Sequence, residues 1–305
     1  MGTPEAAAVS LQRLIDDGHE IVAVYTQPDR PSGRGNKIVF SPVKDLAIEN
    51  QLTLFQPAKI KNDDAVRDFK SLNADLAVVV AYGRILPDEF LSAFPKGAVN
   101  LHFSLLPKYR GAAPVNWAIV NGEKVTGVTT ISMNAGLDTG DILMARETPI
   151  GNEETAPQLM EKLSIVGSEV LAETLANFKT ITPTPQDNDT ATFAPIMKRE
   201  NGLIDWHQTA EDISNRVRGF QPFPGSFTFI DGKRVVIWTA RAVAADEPTE
   251  DPGTILHRNN QELVVSAGEG SILAIRELQF EGKRRISAIE ALNGGLLSLG
   301  DRFGK

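Results

Sequence analysis

The stretch NLHFSLLP, residues 100–107, places two polar side chains at the end of an apolar run that begins at Ala98. Side chains two residues apart in a strand project to the same side, so Asn100 and His102 point together beyond the strand end. Such a pair is unusual in a core and is well placed for a binding or catalytic site. The stretch therefore predicts a strand that carries functional residues at its carboxyl end.

Apolar runs and helical patterns alternate on both sides of this stretch. The run LAVVVA at residues 76–81 is apolar throughout, which is typical of a strand covered by helices on both faces. A helical pattern with one apolar face extends from Thr155 to Phe178. This alternation over residues 1–178 predicts an α/β domain with a mainly parallel sheet, whose functional loops follow the carboxyl ends of the strands.

The character of the sequence changes after the segment TITPTPQDND, residues 180–189. Its Pro, Thr and Asp content is typical of a linker, which we place at residues 179–200. Residues 201–305 contain several short strands, including a hairpin at Asp231-Gly232, a pair that suits a two-residue turn. They predict a second domain, a small β-barrel of the oligonucleotide-binding (OB) type.

The composition excludes several kinds of chemistry. The 305 residues include no cysteine, which excludes disulfides, thiol nucleophiles and thiolate zinc sites, and four scattered histidines do not indicate a structural metal. A formal net charge of −8 argues against indiscriminate nucleic-acid binding but allows local basic patches. Because no apolar run is long enough to span a bilayer and no signal-peptide pattern is present, we expect a cytoplasmic protein.

The segment QPDRPSGRGNK, residues 27–37, is a Pro- and Gly-rich loop that carries Arg30, Arg34 and Lys37. Two interpretations of it are open. It is either a solvated surface loop or a flexible basic finger that binds a phosphate-bearing partner.

Asn100 and His102 have the side-chain chemistry that acyl transfer to an amine requires. An amide can bind a developing oxyanion, and a histidine can exchange a proton near neutral pH. Asp138, in the loop GLDTGD at residues 136–141, could orient His102 and stabilise its imidazolium form. No nucleophile-elbow pattern indicates a covalent acyl-enzyme. The residue types leave a second interpretation open, in which loop backbone satisfies the polar pair and the acids are turn residues.

Several motifs, in order along the chain, resemble those of the folate-dependent formyltransferases. They are Asn100-x-His102, the segment SLLP at 104–107, the segment YRGAAP at 109–114 and the loop GLDTGD at 136–141. The basic loop and the second domain narrow the resemblance to the members that act on methionyl initiator tRNA. The resemblance runs from residue 2 to the end of the chain and implies a Rossmann-like sheet in the first domain.

This resemblance implies transfer of the formyl group of 10-formyltetrahydrofolate to the methionyl amine of initiator tRNA, by direct attack of the amine. The catalytic residues would be Asn100, His102 and Asp138. Asn100 would hold the carbonyl oxygen, and His102 would stabilise the tetrahedral oxyanion and take part in proton transfer. Asp138 would position His102.

The same resemblance implies two groups of binding residues. Arg34, with Lys37 beside it, would contact the acceptor end of the tRNA, and the second domain would bind the tRNA body mainly through its phosphates. No metal is expected, and nothing requires more than a monomer. The residues expected to line the folate pocket are Ser104, Leu105, Leu106, Pro107, Tyr82 and Gly83.

The sequence departs from the family at its beginning. The family has an apolar strand before the Gly-Thr-Pro turn, whereas here Met1 directly precedes Gly2. We therefore expect the first strand to be absent, so that two neighbouring strands have unpaired backbone groups. The departure indicates either a truncated sequence or a start assigned too late.

Two alternative functions remain open on these observations. A formyltransferase that acts on another amine, in an amino sugar or a ribonucleotide, would share the catalytic residues but would not need the Arg34 loop. A noncatalytic RNA-binding relative would keep the second domain while the missing strand inactivates the first. The intact set of Asn100, His102 and Asp138 argues against the second alternative.

Overall fold

The computed structural model describes residues 1–32, 37–244, 250–259 and 261–304. The chain forms two compact units. The first contains Met1–Pro114, Val125–Pro149 and Met160–Ala194, and the second contains Val115–Lys124, Ile150–Leu159 and Pro195–Lys305. Most of the segment predicted as a linker therefore belongs to the first unit.

The helices and strands follow the alternation that the sequence predicts. The helices are α1 (Glu5–Asp16), α2 (Pro42–Glu49), α3 (Asp63–Lys70), α4 (Asp88–Leu91), α5 (Pro114–Val120), α6 (Ala156–Ala176), α7 (Ala210–Gly219) and α8 (Ala288–Asn293). The strands of the first unit are β1 (Val24–Tyr25), β2 (Arg30–Ser32), β3 (Lys37–Val39), β4 (Leu54–Phe55), β5 (Ala77–Val79), β6 (Ala98–His102), β7 (Arg110–Gly111), β8 (Val125–Ser132), β9 (Ile142–Pro149) and β10 (Phe193–Ala194). The strands of the second unit are β11 (Ser226–Ile230), β12 (Lys233–Val243), β13 (Ile255–Arg258), β14 (Leu263–Ser266), β15 (Ile272–Phe280) and β16 (Ile286–Ser287).

The main sheet of the first unit has the order β5-β6-β8-β9. β5 and β6 are parallel, as predicted, and β1 forms a separate parallel pair with β4. β8 is antiparallel to β6 and to β9, so the sheet is mixed at this side. The sequence could not reveal this, because apolar periodicity identifies the buried faces of a strand but not its direction. An aromatic cluster of Tyr25, Phe69, Phe90 and Phe94 packs beside the parallel strands.

A slot separates the β1–β4 pair from β5, as the expected absence of the first strand predicts. The first two residues of the chain bridge it through their backbone: Gly2 donates a hydrogen bond to the Tyr25 carbonyl, and Val80 donates one to the Met1 carbonyl, both at 2.9 Å. The slot continues as a cavity of about 540 Å³. The Met1 amine donates to the Val78 carbonyl at 2.7 Å, and burial lowers the pKa of this amine to about 5. The strands on both sides thus present backbone groups to a space one strand wide.

An apolar extension should fill this slot. A Val- and Ile-rich extension of about five residues, joined to Met1, would span roughly 16 Å as a strand and pair with both edges. We expect it to raise the free energy of unfolding by at least about 2 kcal/mol, the value for burying one large aliphatic side chain. Urea denaturation measures the change, and a Gly/Ser extension of the same length is the control. Equal free energies for the two extended chains would contradict the prediction.

The second unit is built on one sheet with the order β11-β12-β15-β14-β13, and β16 pairs with β15. Its neighbouring strands are antiparallel, and the predicted hairpin connects β11 to β12. Among the described residues no ladder joins β11 to β13, so the closed barrel that the sequence predicts is not found. The core beneath α7 contains Ile213, Val217, Ile237, Leu263 and Leu273.

In the part of the chain that the structure describes, no helix combines the length and the apolar character that a membrane crossing needs.

Candidate active site

The predicted strand that carries Asn100 and His102 is confirmed as β6, whose five residues are all buried. It lies between β5 and β8, and its last residue, His102, pairs with Thr129. Asn100 is 8% exposed and His102 is 6% exposed. Because the two residues are two positions apart, their side chains project from the same face of the sheet.

The backbone of the following loop fixes the proton on His102. Its Nε2 atom lies 2.9 Å from the carbonyl oxygen of Tyr109. A carbonyl oxygen only accepts hydrogen bonds, so Nε2 must donate and must carry the hydrogen. In the neutral imidazole the other nitrogen, Nδ1, is then unprotonated and available to accept a proton.

Asp138 faces this unprotonated nitrogen. Its Oδ2 atom lies 3.6 Å from His102 Nδ1 and accepts a hydrogen bond of 2.8 Å from the amide of Gly111. The Asp138 backbone has a φ of +53°, which few residues other than glycine adopt. A carboxylate at this position would stabilise a proton placed on Nδ1. The structure therefore brings together His102 and Asp138, the pair that the sequence places 36 residues apart.

The side-chain amide of Asn100 has no hydrogen-bond partner among the described residues, although the residue is buried. Neither amide atom is fully buried without a partner, so the amide reaches solvent and can exchange water for a ligand. In the second interpretation of the sequence, loop backbone would satisfy both polar side chains. The structure agrees with this for Nε2 of His102 but not for Asn100. The free amide is available to bind an oxygen of a substrate.

The segment SLLP forms a tight turn directly after β6. The Ser104 hydroxyl donates to the Lys108 carbonyl at 2.6 Å, so this hydroxyl serves the turn itself. The Thr129 hydroxyl donates to the Ser104 carbonyl at 2.7 Å and accepts the Leu106 amide at 3.2 Å. Leu106 is buried, whereas Leu105 and Pro107 are half-buried. The turn is anchored to β8, and its role in binding folate stays a prediction.

Tyr82 and Gly83 lie in the turn after β5. The Tyr82 ring is buried in the aromatic cluster, its hydroxyl has no partner among the described residues, and burial raises its pKa. The Tyr82 carbonyl accepts a hydrogen bond of 2.9 Å from the Gln27 side chain. Gly83 is exposed, with a φ of +79°. Any folate contact at this turn therefore involves its backbone rather than the Tyr82 ring.

The basic loop is held by a two-stranded hairpin, in which β2 and β3 are antiparallel. Arg34 lies outside the described residues. Lys37 is the first residue of β3 and pairs with Ser32. At the base of the hairpin, the Lys44 ammonium donates a hydrogen bond to the Asp29 carboxylate and forms an ion pair with it. This hydrogen bond lowers the pKa of Asp29.

Two polar residues to which the sequence assigned no role support the Asp138 loop. The side chain of Gln186 contacts this loop, and the buried Arg110 contacts Gln186. Gln186 lies in the segment whose composition predicts a linker, so no sequence signal indicated its role. Arg110 is part of a family motif but carried no proposed function.

Comparison with known proteins identifies the family. The formyl transferase family model matches residues 1–175, and the model of the formyl transferase C-terminal domain matches residues 196–296. A methionyl-tRNA formyltransferase of Geobacter sulfurreducens is 46% identical, over 100% of this chain and 96% of its own length. One of Caldanaerobacter subterraneus subsp. tengcongensis is 48% identical, over 96% of this chain and 95% of its own. The chain belongs to the methionyl-tRNA formyltransferase family.

Solved structures show the same fold at lower identity. An N-formyltransferase from Helicobacter canadensis, in complex with folinic acid and dTDP-3-aminofucose, has a TM-score of 0.67 and 18% identity and covers 90% of this chain and 97% of its own. WlaRD, a sugar 3N-formyltransferase, has a TM-score of 0.66 and 19% identity and covers 93% of this chain and 97% of its own. At these identities the likeness establishes the fold alone.

Replacing Thr129 should loosen the turn after β6. A Thr129→Val substitution keeps the shape of the side chain but leaves the Ser104 carbonyl and the Leu106 amide without their shared partner. We expect the free energy of unfolding to fall by about 1–3 kcal/mol, as for other unsatisfied buried groups. Urea denaturation measures the loss. Thr126→Val, on the opposite face of the same strand, is the matched control, and an equal loss there would contradict the assigned role of the Thr129 hydroxyl.

Proposed function

We propose that this protein transfers the formyl group of 10-formyltetrahydrofolate to the amino group of methionyl initiator tRNA, for the initiation of translation. The identity of 43–48% to methionyl-tRNA formyltransferases over nearly the whole chain carries the proposal. The arrangement of Asn100, His102 and Asp138 supports it, because a free amide and a histidine with an open nitrogen are what this chemistry needs. We further propose that the protein acts as a cytoplasmic monomer.

In the proposed reaction the methionyl amine attacks the formyl carbon directly. A new C–N bond forms, and the carbonyl oxygen becomes an oxyanion in a tetrahedral intermediate. The Asn100 amide donates a hydrogen bond to that oxygen. Because the amide has no partner within the described protein, it needs no rearrangement to do so, which is the condition for efficient electrostatic stabilisation.

His102 carries the proton. Its unprotonated Nδ1 accepts a proton from the attacking nitrogen, and the resulting imidazolium is stabilised by the Asp138 carboxylate on one side and the Tyr109 carbonyl on the other. The positive imidazolium also stabilises the oxyanion. The proton then passes to N10 of the folate as the C–N10 bond breaks, so that tetrahydrofolate leaves as a neutral amine. No covalent intermediate with the protein forms.

Each substrate is proposed to bind at the residues that the family resemblance indicates. Folate lies against the turn of residues 104–107 and the backbone of Tyr82 and Gly83. The acceptor end of the tRNA contacts Arg34, with Lys37 beside it in the sequence. The second unit binds the tRNA body, through a sheet of the OB type and the basic side chains near its hairpin turns.

The alternatives receive less support. The N-formyltransferase bound to dTDP-3-aminofucose and the sugar 3N-formyltransferase are 18% and 19% identical to this chain, far below the 46% of the methionyl-tRNA formyltransferase of Geobacter sulfurreducens. A noncatalytic role is not favoured, because the catalytic residues lie on β6 and the loop before β9, and the slot lies on the far side of β5.

Replacing His102 tests the mechanism. His102→Ala should lower kcat by on the order of 100-fold or more, since it removes the proton acceptor. The assay follows a labelled formyl group from 10-formyltetrahydrofolate to charged initiator tRNA. The exposed His19→Ala is the control and should retain its rate. Robust formylation by the His102→Ala protein would contradict the proposed mechanism. An inactive wild-type chain would contradict the proposed formyl transfer.

Arg34 tests the tRNA contact. At limiting tRNA, Arg34→Ala should reduce the rate roughly tenfold, because it removes a charged contact to phosphate. A plot of the logarithm of the KM for tRNA against the logarithm of the salt concentration should also become shallower, with its slope reduced by about one. The KM for 10-formyltetrahydrofolate should not change. Arg67→Ala, an exposed arginine on α3, is the matched control. Undiminished activity of the Arg34→Ala protein would rule out the finger as a contact.

A further inference from the structure

Gln186 makes a two-sided contact with the loop that carries Asp138. Its Nε2 atom donates one hydrogen bond of 2.8 Å to the carbonyl of Asp138 and another of 2.7 Å to the carbonyl of Gly140. A primary amide has two N–H donors, so both are used. The side chain thus holds the backbone of the loop at two points, two residues apart.

The other end of the Gln186 amide is anchored. Its Oε1 atom accepts hydrogen bonds from Nε and Nη2 of Arg110, at 3.0 and 2.8 Å. Arg110 is 4% exposed, and a buried guanidinium makes a rigid, charged donor pair. The amide is therefore fixed in orientation, with its oxygen toward Arg110 and its nitrogen toward the loop.

Arg110 lies between the two backbone groups that contact the proposed catalytic pair. The residue before it, Tyr109, presents the carbonyl that accepts from His102, and the residue after it, Gly111, donates to Asp138. The contacts therefore close a ring through Arg110, Gln186, Asp138 and Gly111. The position of the Asp138 carboxylate and the orientation of His102 are set from the same three-residue segment.

The Asp138 loop needs such an external contact. Residues 134–137 are exposed, and Asp138 adopts a left-handed conformation that is unfavourable for a residue with a side chain. Hydrogen bonds from Gly136 and Thr139 to the Asn134 side chain order the tip of the loop but do not attach it to the sheet. Gln186 supplies an attachment at the strained residue itself.

We propose that Gln186 is a positioning residue, anchored by Arg110, that holds Asp138 where its carboxylate faces His102 Nδ1. The effect on catalysis rests on the proposed formyl transfer, whereas the effect on the position of Asp138 does not. Gln186 itself does not touch the reacting atoms.

Two substitutions separate positioning from simple stabilisation. Gln186→Ala removes both halves of the contact. Gln186→Glu keeps an acceptor for Arg110, now as an ion pair, but replaces the two donors with an oxygen that faces two carbonyls. Gln221→Ala is the matched control, because the Gln221 amide also bridges two backbone carbonyls, those of Val217 and Trp238 in the second unit.

The first measurement needs no substrate. The Gly111 amide donates to Asp138, so its hydrogen exchange reports whether the carboxylate stays in place. We expect exchange of this amide to be about tenfold faster or more in both Gln186 variants, the equivalent of one lost hydrogen bond. It should be unchanged in Gln221→Ala, and amides within β8 should be unchanged in all three.

The second measurement is steady-state formylation. Both Gln186 variants should lose about tenfold in kcat, with the KM for each substrate within about twofold of wild type. The ion pair of the new glutamate with Arg110 should not restore the kcat of Gln186→Glu. Unchanged Gly111 exchange, an unchanged kcat, a loss confined to KM, or wild-type activity of Gln186→Glu would each overturn the proposal. If the wild-type chain forms no formylated tRNA, the proposed function fails, and the exchange measurement still decides the position of Asp138.

Discussion

The hydrogen bond from His102 Nε2 to the Tyr109 carbonyl is the contact on which the rest of the candidate site depends. It fixes the tautomer of the imidazole, and the tautomer leaves Nδ1 open toward Asp138. Tyr109 presents its carbonyl from a backbone with a φ of +61°, which is unfavourable for a residue with a side chain. Such a conformation persists only where neighbouring contacts hold it.

Those contacts come from a distant part of the chain. The Tyr109 amide donates to the Thr192 hydroxyl, and the Arg110 amide donates to the Thr192 carbonyl, both at 2.9 Å. The parallel pair of β7 with β10 continues the contact to Ala194. At Gly111, with a φ of +123°, a Cβ atom would lie 2.7 Å from the Ala194 carbonyl oxygen, so the close approach of the two strands requires glycine here. The segment between α6 and the second unit therefore supports the backbone of the candidate site.

The slot and the site are separated by an intact part of the sheet. β6 pairs with β5 on one side and with β8 on the other, so the strand that carries Asn100 and His102 has both of its neighbours. The unpaired edges face away from it, between β5 and β1. The slot thus bears on the stability of the first unit and lies away from the strand that carries Asn100 and His102.

The sequence by itself predicted the strand that carries Asn100 and His102, the loop that carries Asp138, unpaired backbone groups in the first sheet and the change of character after the segment at residues 179–200. These features lie in local patterns: apolar runs, turn residues and family motifs are written in neighbouring positions. Only the tertiary structure decided that β8 and β9 are antiparallel and that the described strands of the second unit form an open sheet rather than a closed barrel. It also decided that Gln186 and Thr192 support the site. The direction of a strand and the partner of a polar side chain depend on contacts between residues tens of positions apart. No periodicity within a segment can encode them.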